Sequence, residues 1–108
     1  MKLSINKKIF SHIITSSNSF STNDISFMFN KLDAPRIGFI VPRSLGSAHL
    51  RNKFKRRCRA SLQSLNQNVS LPSIGIIVKP KTINLDFPRI KNSFNLLEKT
   101  ILTKYGVS

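Results

Sequence analysis

Apolar residues recur along this chain with two different periods, and the switches between them mark out its elements. Ile5, Ile9 and Ile13 fall four residues apart with Phe10 and Ile14 alongside, the spacing of one buried helix face. Ser4 is placed to cap that helix, and the polar stretch "TSSNS" (15–19) to end it. "ISFMFNK" (25–31) predicts a strand, and "LDAP" a turn after it. "RIGFIV" (36–41) is almost continuously apolar and predicts a second, central strand. Pro42 stops it, and "RSLGS" forms a loop in which Gly46 is expected to supply an unusual backbone angle.

Ser47 then caps a second helix. At about 100° per residue, Leu50, Phe54, Cys58, Ser61, Leu62 and Leu65 share an arc of about 120°. Asn52, Lys55, Arg56 and Arg59 form the opposite face, flanked by Lys53 and Arg57. Arg51 is the misfit. It falls on the apolar arc, in the first turn, where a long side chain can pass the edge of a core and keep its head in water. "SIGIIVK" (73–79) predicts a further strand. Ile90, Phe94, Leu97, Ile101 and Tyr105 are spaced as one face of a last helix, with Asp86 as its cap and Gly106 as its stop. The chain reads as one domain over residues 1–108, with no repeat, low-complexity segment or linker. Its class is α+β, an α/β sandwich in which helices pack on a small mixed sheet in the order helix, strands, helix, strand, helix.

Charge changes the picture most at the second helix. Eighteen Lys and Arg against four Asp and Glu give a net charge of +14. A surplus of that size repels itself in the folded state and calls for a polyanionic partner. Between Asp33 and Asp86 there is no acid, while ten basic residues occur, seven of them from Arg43 to Arg59. An ordinary solvated helix mixes signs through i, i+4 pairs, and this one does not. Arginine, which grips phosphate with a planar fork, supplies four of the six cations in "LRNKFKRRCRA" (50–60). The basic face is therefore read as a phosphate-binding surface. A membrane-surface helix ranks below it, because the apolar side is small, contains Cys and Ser, and carries no Trp.

The same residues argue against catalysis by the protein itself. Asp24, Asp33, Asp86 and Glu98 are scattered over caps, turns and a helix, without the pairing that metal-dependent phosphodiester cleavage needs. His12 and His49 have no metal-ligand pattern around them, and no phosphate-cradling glycine loop occurs. Cys58, the only cysteine, sits on the core stripe and reads as a buried structural residue. A single cysteine excludes an internal disulfide and points to a reducing, cytoplasmic setting. No apolar run approaches the roughly 20 residues of a spanning helix, and the first residues read as a helix rather than a cleaved leader.

The segment "RIGFIVPRSLGSAHLRNKFKRRCRASL" (36–62) resembles the protein subunit of bacterial ribonuclease P. Arg51 and Asn52 match the pair that opens the family's basic helix, Lys55, Arg56 and Arg59 its later basic positions, and Gly46 with Ala48 its loop. "IGIIVKP" and the final helix continue the match. Lys53 stands where the family favours Arg; Pro42, Ser44 and Val78 also depart from its pattern, and Ile14 and Met28 fall where aromatics are usual. The resemblance implies the element order α-β-β-β-α-β-α and a left-handed βαβ crossover. It also implies a protein that assists a catalytic RNA in removing the 5′ leader of precursor tRNA. The RNA would hold the Mg2+ and perform the hydrolysis; no catalytic residue and no cofactor is assigned to the protein alone. Arg43, Arg51, Asn52, Lys53, Lys55, Arg56 and Arg59 would bind RNA, and Phe10, Ile14, Met28 and Phe39 would line a groove for the leader. The partners implied are the RNA subunit and precursor tRNA, with neither membrane nor DNA. A ribosomal or other structural RNA-binding protein is the alternative that charge alone would also fit. A DNA-reading helix is disfavoured because strands, not a short helix, precede 47–65.

Overall fold

Two long strands form the centre of the molecule, with a short strand on each outer edge and helices packed on the two faces. The computed structural model describes residues 7–16, 18–32, 35–68 and 73–105. Ser4, Ile5, Asp33, Gly106 and the side chain of Leu65, all named above, lie outside the described residues. The elements are α1 (Lys7–Ser16), β1 (Asn18–Ser21), β2 (Ile25–Lys31), β3 (Arg36–Phe39), α2 (Ala48–Asn68), β4 (Ile74–Pro80) and α3 (Phe87–Tyr105). Their order is the expected α-β-β-β-α-β-α.

The sheet runs β1-β2-β4-β3. β2 is antiparallel to β1 and β4, whereas β3 and β4 are parallel, with α2 as the crossover between them. Register places Phe27, Val78 and Phe39 in one row and Phe29, Ile76 and Ile37 in the next. These rows share a face, and against it pack Phe54, Cys58 and Leu62 of α2 and Ile90, Phe94, Leu97 and Ile101 of α3. The rings of Phe27 and Phe94 meet edge to face at 5.2 Å. Ile83 and Leu85 of the β4–α3 connection complete this core.

The opposite face carries Met28, Ile77 and Gly38 in one row, and α1 lies on part of it. Ile13 of α1 is fully buried there. A Cβ at Gly75 would stand 2.6 Å from Ile13 Cδ1 and would also collide with Leu32, so the glycine is what lets α1 come this close.

β3 is an edge strand, not the central one its apolar run predicts. Only Ile37 in it is buried, because the helix above, rather than two flanking strands, covers its apolar side chains. It ends at Phe39 instead of Val41, although the Ile40 N–H still donates to Val78 O at 2.9 Å. Hydropathy does not locate β1, whose "NSFS" offers one apolar residue, too few to set a period.

α3 begins as its sequence indicates. The Arg89 N–H donates to Asp86 Oδ1 at 3.0 Å, and Pro88 sits in the first turn, where a missing N–H costs nothing. The β1–β2 turn is fastened to α3 by Thr22 Oγ1 and Ser93 Oγ at 2.9 Å and by an Arg89–Asp24 ion pair at 2.6 Å. Tyr105 is half-buried at the far end, edge-on to Phe29, and its hydroxyl accepts from the Asn18 amide at 3.0 Å.

Candidate nucleic-acid interface

The basic surface is built from the start of α2 outward. Ser47 is its cap: the Leu50 N–H donates to Ser47 Oγ at 3.3 Å, and the Arg51 N–H to the Ser47 carbonyl at 2.9 Å. Before it, Arg43–Leu45 form a 3-10 turn that leaves Arg43 exposed. Gly46 is extended (φ 160°, ψ 179°), so the expected unusual angle is not why a glycine is there. A Cβ would stand 2.8 Å from Ile83 Cδ1, the end of a side chain that would have to shift to admit it.

Phe54, Cys58, Ser61 and Leu62 face inward, and with them the apolar stripe is largely as expected. Leu50 is the exception, 48% exposed. Val41 and Leu45 lie against the core at that end, and Leu50 instead rests beside Gly46. Asn52, Lys53, Arg56 and Arg59 are exposed, and Arg51, Lys55 and Arg57 half-buried. Arg51 has its Nε buried with no hydrogen-bond partner, as its place on the apolar side of the helix demands. Arg57 differs from its neighbours, since it donates from Nη1 to the Leu85 carbonyl at 3.0 Å and ties α2 to the β4–α3 connection. It is a structural cation. No α2 cation is paired with a carboxylate among the described residues, where the ion pair is Arg89–Asp24 on the β1–β2 turn. Burial pushes the Cys58 thiol well above its ordinary range, against a smaller opposing effect of Arg59, so it stays a neutral, inert packing group.

The four residues expected to form one groove do not come together. Phe10 is half-buried and Ile14 45% exposed on α1, and Met28 is half-buried on the sheet face that α1 partly covers. Phe39 is on the other face, in register with Val78, beneath α2. Strand parity decides this: Gly38, not Phe39, shares a row with Met28 and Ile77. Beside Met28, the sheet carries an open groove of about 650 Å³ walled by Ser19, Ser21, Ser26, Lys79 and Lys81. Ser21 and Ser26 share a hydrogen bond of 2.7 Å across the strands, and Lys81 Nζ donates to the Thr22 carbonyl at 2.8 Å. The alternations Ser-Phe-Ser (19–21), Ser-Phe-Met (26–28) and Lys-Pro-Lys (79–81) carry this groove in the sequence, but it becomes visible only once β1 is known to be a strand.

Among the described residues there is no group of three or more His, Cys, Asp or Glu that could hold a metal ion. No helix among them is long and apolar enough to cross a membrane.

The family model for ribonuclease P matches residues 3–102. The chain belongs to the ribonuclease P protein family. It is 31% identical over 98 residues to the ribonuclease P protein component of Caldanaerobacter subterraneus subsp. tengcongensis, covering 89% of this chain and 83% of that one. The ribonuclease P protein of Thermotoga maritima has the same fold, with a TM-score of 0.78 at 24% identity over 91% of this chain and 96% of its own. That of Staphylococcus aureus superposes with a TM-score of 0.76 at 23% identity, over 99% and 98% of the two chains. Membership implies a part in tRNA processing by ribonuclease P. The acid-free face of α2 and the hydroxyl-lined sheet groove are therefore features of a ribonuclease P protein.

Proposed function

We propose that this chain is the RNA-binding subunit of a ribonuclease P ribonucleoprotein, in which a catalytic RNA cuts the 5′ leader from precursor tRNA and the protein holds both RNAs. The observation that carries this reading is the face of α2 on a ribonuclease P protein fold, a row of cations with no ion-pair partner among the described residues. Arg43, Arg51, Lys53, Lys55, Arg56 and Arg59 contact phosphates of the RNA subunit, with Asn52 among them. The arginines use their forks and the lysines act as point charges. Such contacts fix register without reading sequence. The leader lies along the sheet face from Phe10, Ile14 and Met28 into the groove of Ser19, Ser21 and Ser26, where Lys79 supplies exposed charge. Hydroxyls and ammonium groups suit a sugar–phosphate backbone, and leaders of different sequence fit the same groove. Hydrolysis belongs to the RNA subunit.

The RNA recovered with the tagged full-length chain tests this reading. Recovery of the ribonuclease P RNA, lost when Arg56 and Arg59 are both replaced by Gln, is the expected result. Recovery of ribosomal RNA alone would move the chain to the structural RNA-binding class.

A further inference from the structure

Lys55 and Arg59 are four residues apart on α2, so their side chains reach the same patch of neighbouring surface. That patch is the ring of Phe39 on the edge strand β3. Arg59 Cζ lies 5.1 Å and Lys55 Nζ 5.9 Å from its centroid. Both are within the range of about 6 Å in which a cation is attracted by an aromatic face. Neither is paired with a carboxylate among the described residues, so the two like charges are held near one another without an acid to offset them. A carboxylate there would steady the pair but cancel the charge that attracts phosphate. A ring has no net charge. It steadies the cations and leaves their positive potential whole, and a guanidinium resting on a ring still has N–H donors for a phosphate.

We propose that Phe39 is a positioning residue of the RNA-binding surface, a platform that holds Lys55 and Arg59 in place for the RNA without neutralising them. This rests on the reading that α2 binds the RNA subunit. Long cations that are already ordered lose less side-chain entropy when phosphate arrives, and that saving is what the ring contributes.

The test is a cycle of variants of the full chain, read as affinity for the RNA subunit with melting temperature as the check on folding. Phe39→Leu should weaken binding by about two- to fivefold, the size of an exposed cation–π contact. Phe39→Tyr, which keeps the ring, should bind normally. In a Lys55→Gln, Arg59→Gln background Phe39→Leu should have no further effect. Should Phe39→Leu unfold at the assay temperature, Phe39→Met takes its place under the same expectations. An equal loss in both backgrounds would make Phe39 a packing residue only, and unchanged or tighter binding by Phe39→Leu would likewise overturn the proposal. A wild-type chain that does not bind the RNA subunit overturns the functional reading itself. A chain that depends on Lys55 and Arg59 but not on Phe39 overturns this inference alone.

Discussion

Replacing Arg51 by leucine should separate binding from folding. The side chain starts on the apolar side of α2, and its Nε is buried without a hydrogen-bond partner. A buried donor left unpaired costs about 1–3 kcal/mol, so removing it should leave the fold as stable or more so. At about 4–8 °C per kcal/mol for a domain of this size, the melting temperature should hold or rise by several degrees. The same change removes a charged fork, and hydrogen bonds of that kind contribute about 1.5–3 kcal/mol. Affinity for the RNA subunit should then fall roughly ten- to a hundredfold, at 1.4 kcal/mol per decade. Lys104→Leu is the control, since it removes one exposed charge from a different element, the last turn of α3. Arg57 would be a poor control because its bond to the Leu85 carbonyl makes it part of the fold. Thermal denaturation and RNA titration of both variants give the result. An Arg51→Leu chain that melts early and binds normally would make Arg51 a structural residue, and equal losses in both variants would leave only bulk charge.

Other expectations follow from the same surfaces. If about five cations contact phosphates, the logarithm of RNA affinity should fall with the logarithm of salt at a slope of roughly −3 to −5; replacing exposed Lys53 and Arg56 by Gln should flatten it by about 1.5, and a slope near zero would refute phosphate binding. Gly75→Ala should destabilise the fold by about 1–3 kcal/mol, because its methyl would collide with Ile13 and Leu32; denaturant titration checks this, and an unchanged midpoint would refute the close approach of α1. Asp86→Ala and Glu98→Ala should leave the rate of single-turnover leader removal near normal at saturating RNA subunit. A loss of several orders of magnitude in a folded variant would assign the chemistry to the protein.

Where one period ran long enough, the sequence was legible. α3 and the inner stripe of α2 lie where their apolar spacing predicts, because a helix buried on one side must repeat its apolar residues to cover a sheet. β3 lies at the edge although its apolar run predicts a central strand, since such a run cannot say whether strands or a helix cover it. Leu50 and Arg57 illustrate a second limit. A helical wheel gives the direction of a side chain but not what the next element offers it, here a loop glycine and a carbonyl from the β4–α3 connection. Phe39 illustrates a third: its face depends on register with β4, more than thirty residues away, and a shift of one residue would have put it on the face that carries Met28. The basic surface needed none of this, because the missing acids are a property of the sequence itself.

Reconstituted cleavage is the decisive test of this chain as the protein subunit of ribonuclease P. Precursor tRNA and the cognate catalytic RNA are incubated at a magnesium concentration too low for the RNA alone, with and without the full-length chain. Accurate leader removal should appear only when the protein is added, and should be weakened when Arg56 and Arg59 are both replaced by Gln. Cleavage that is indifferent to the protein, or cleavage by the protein without the RNA, would contradict it.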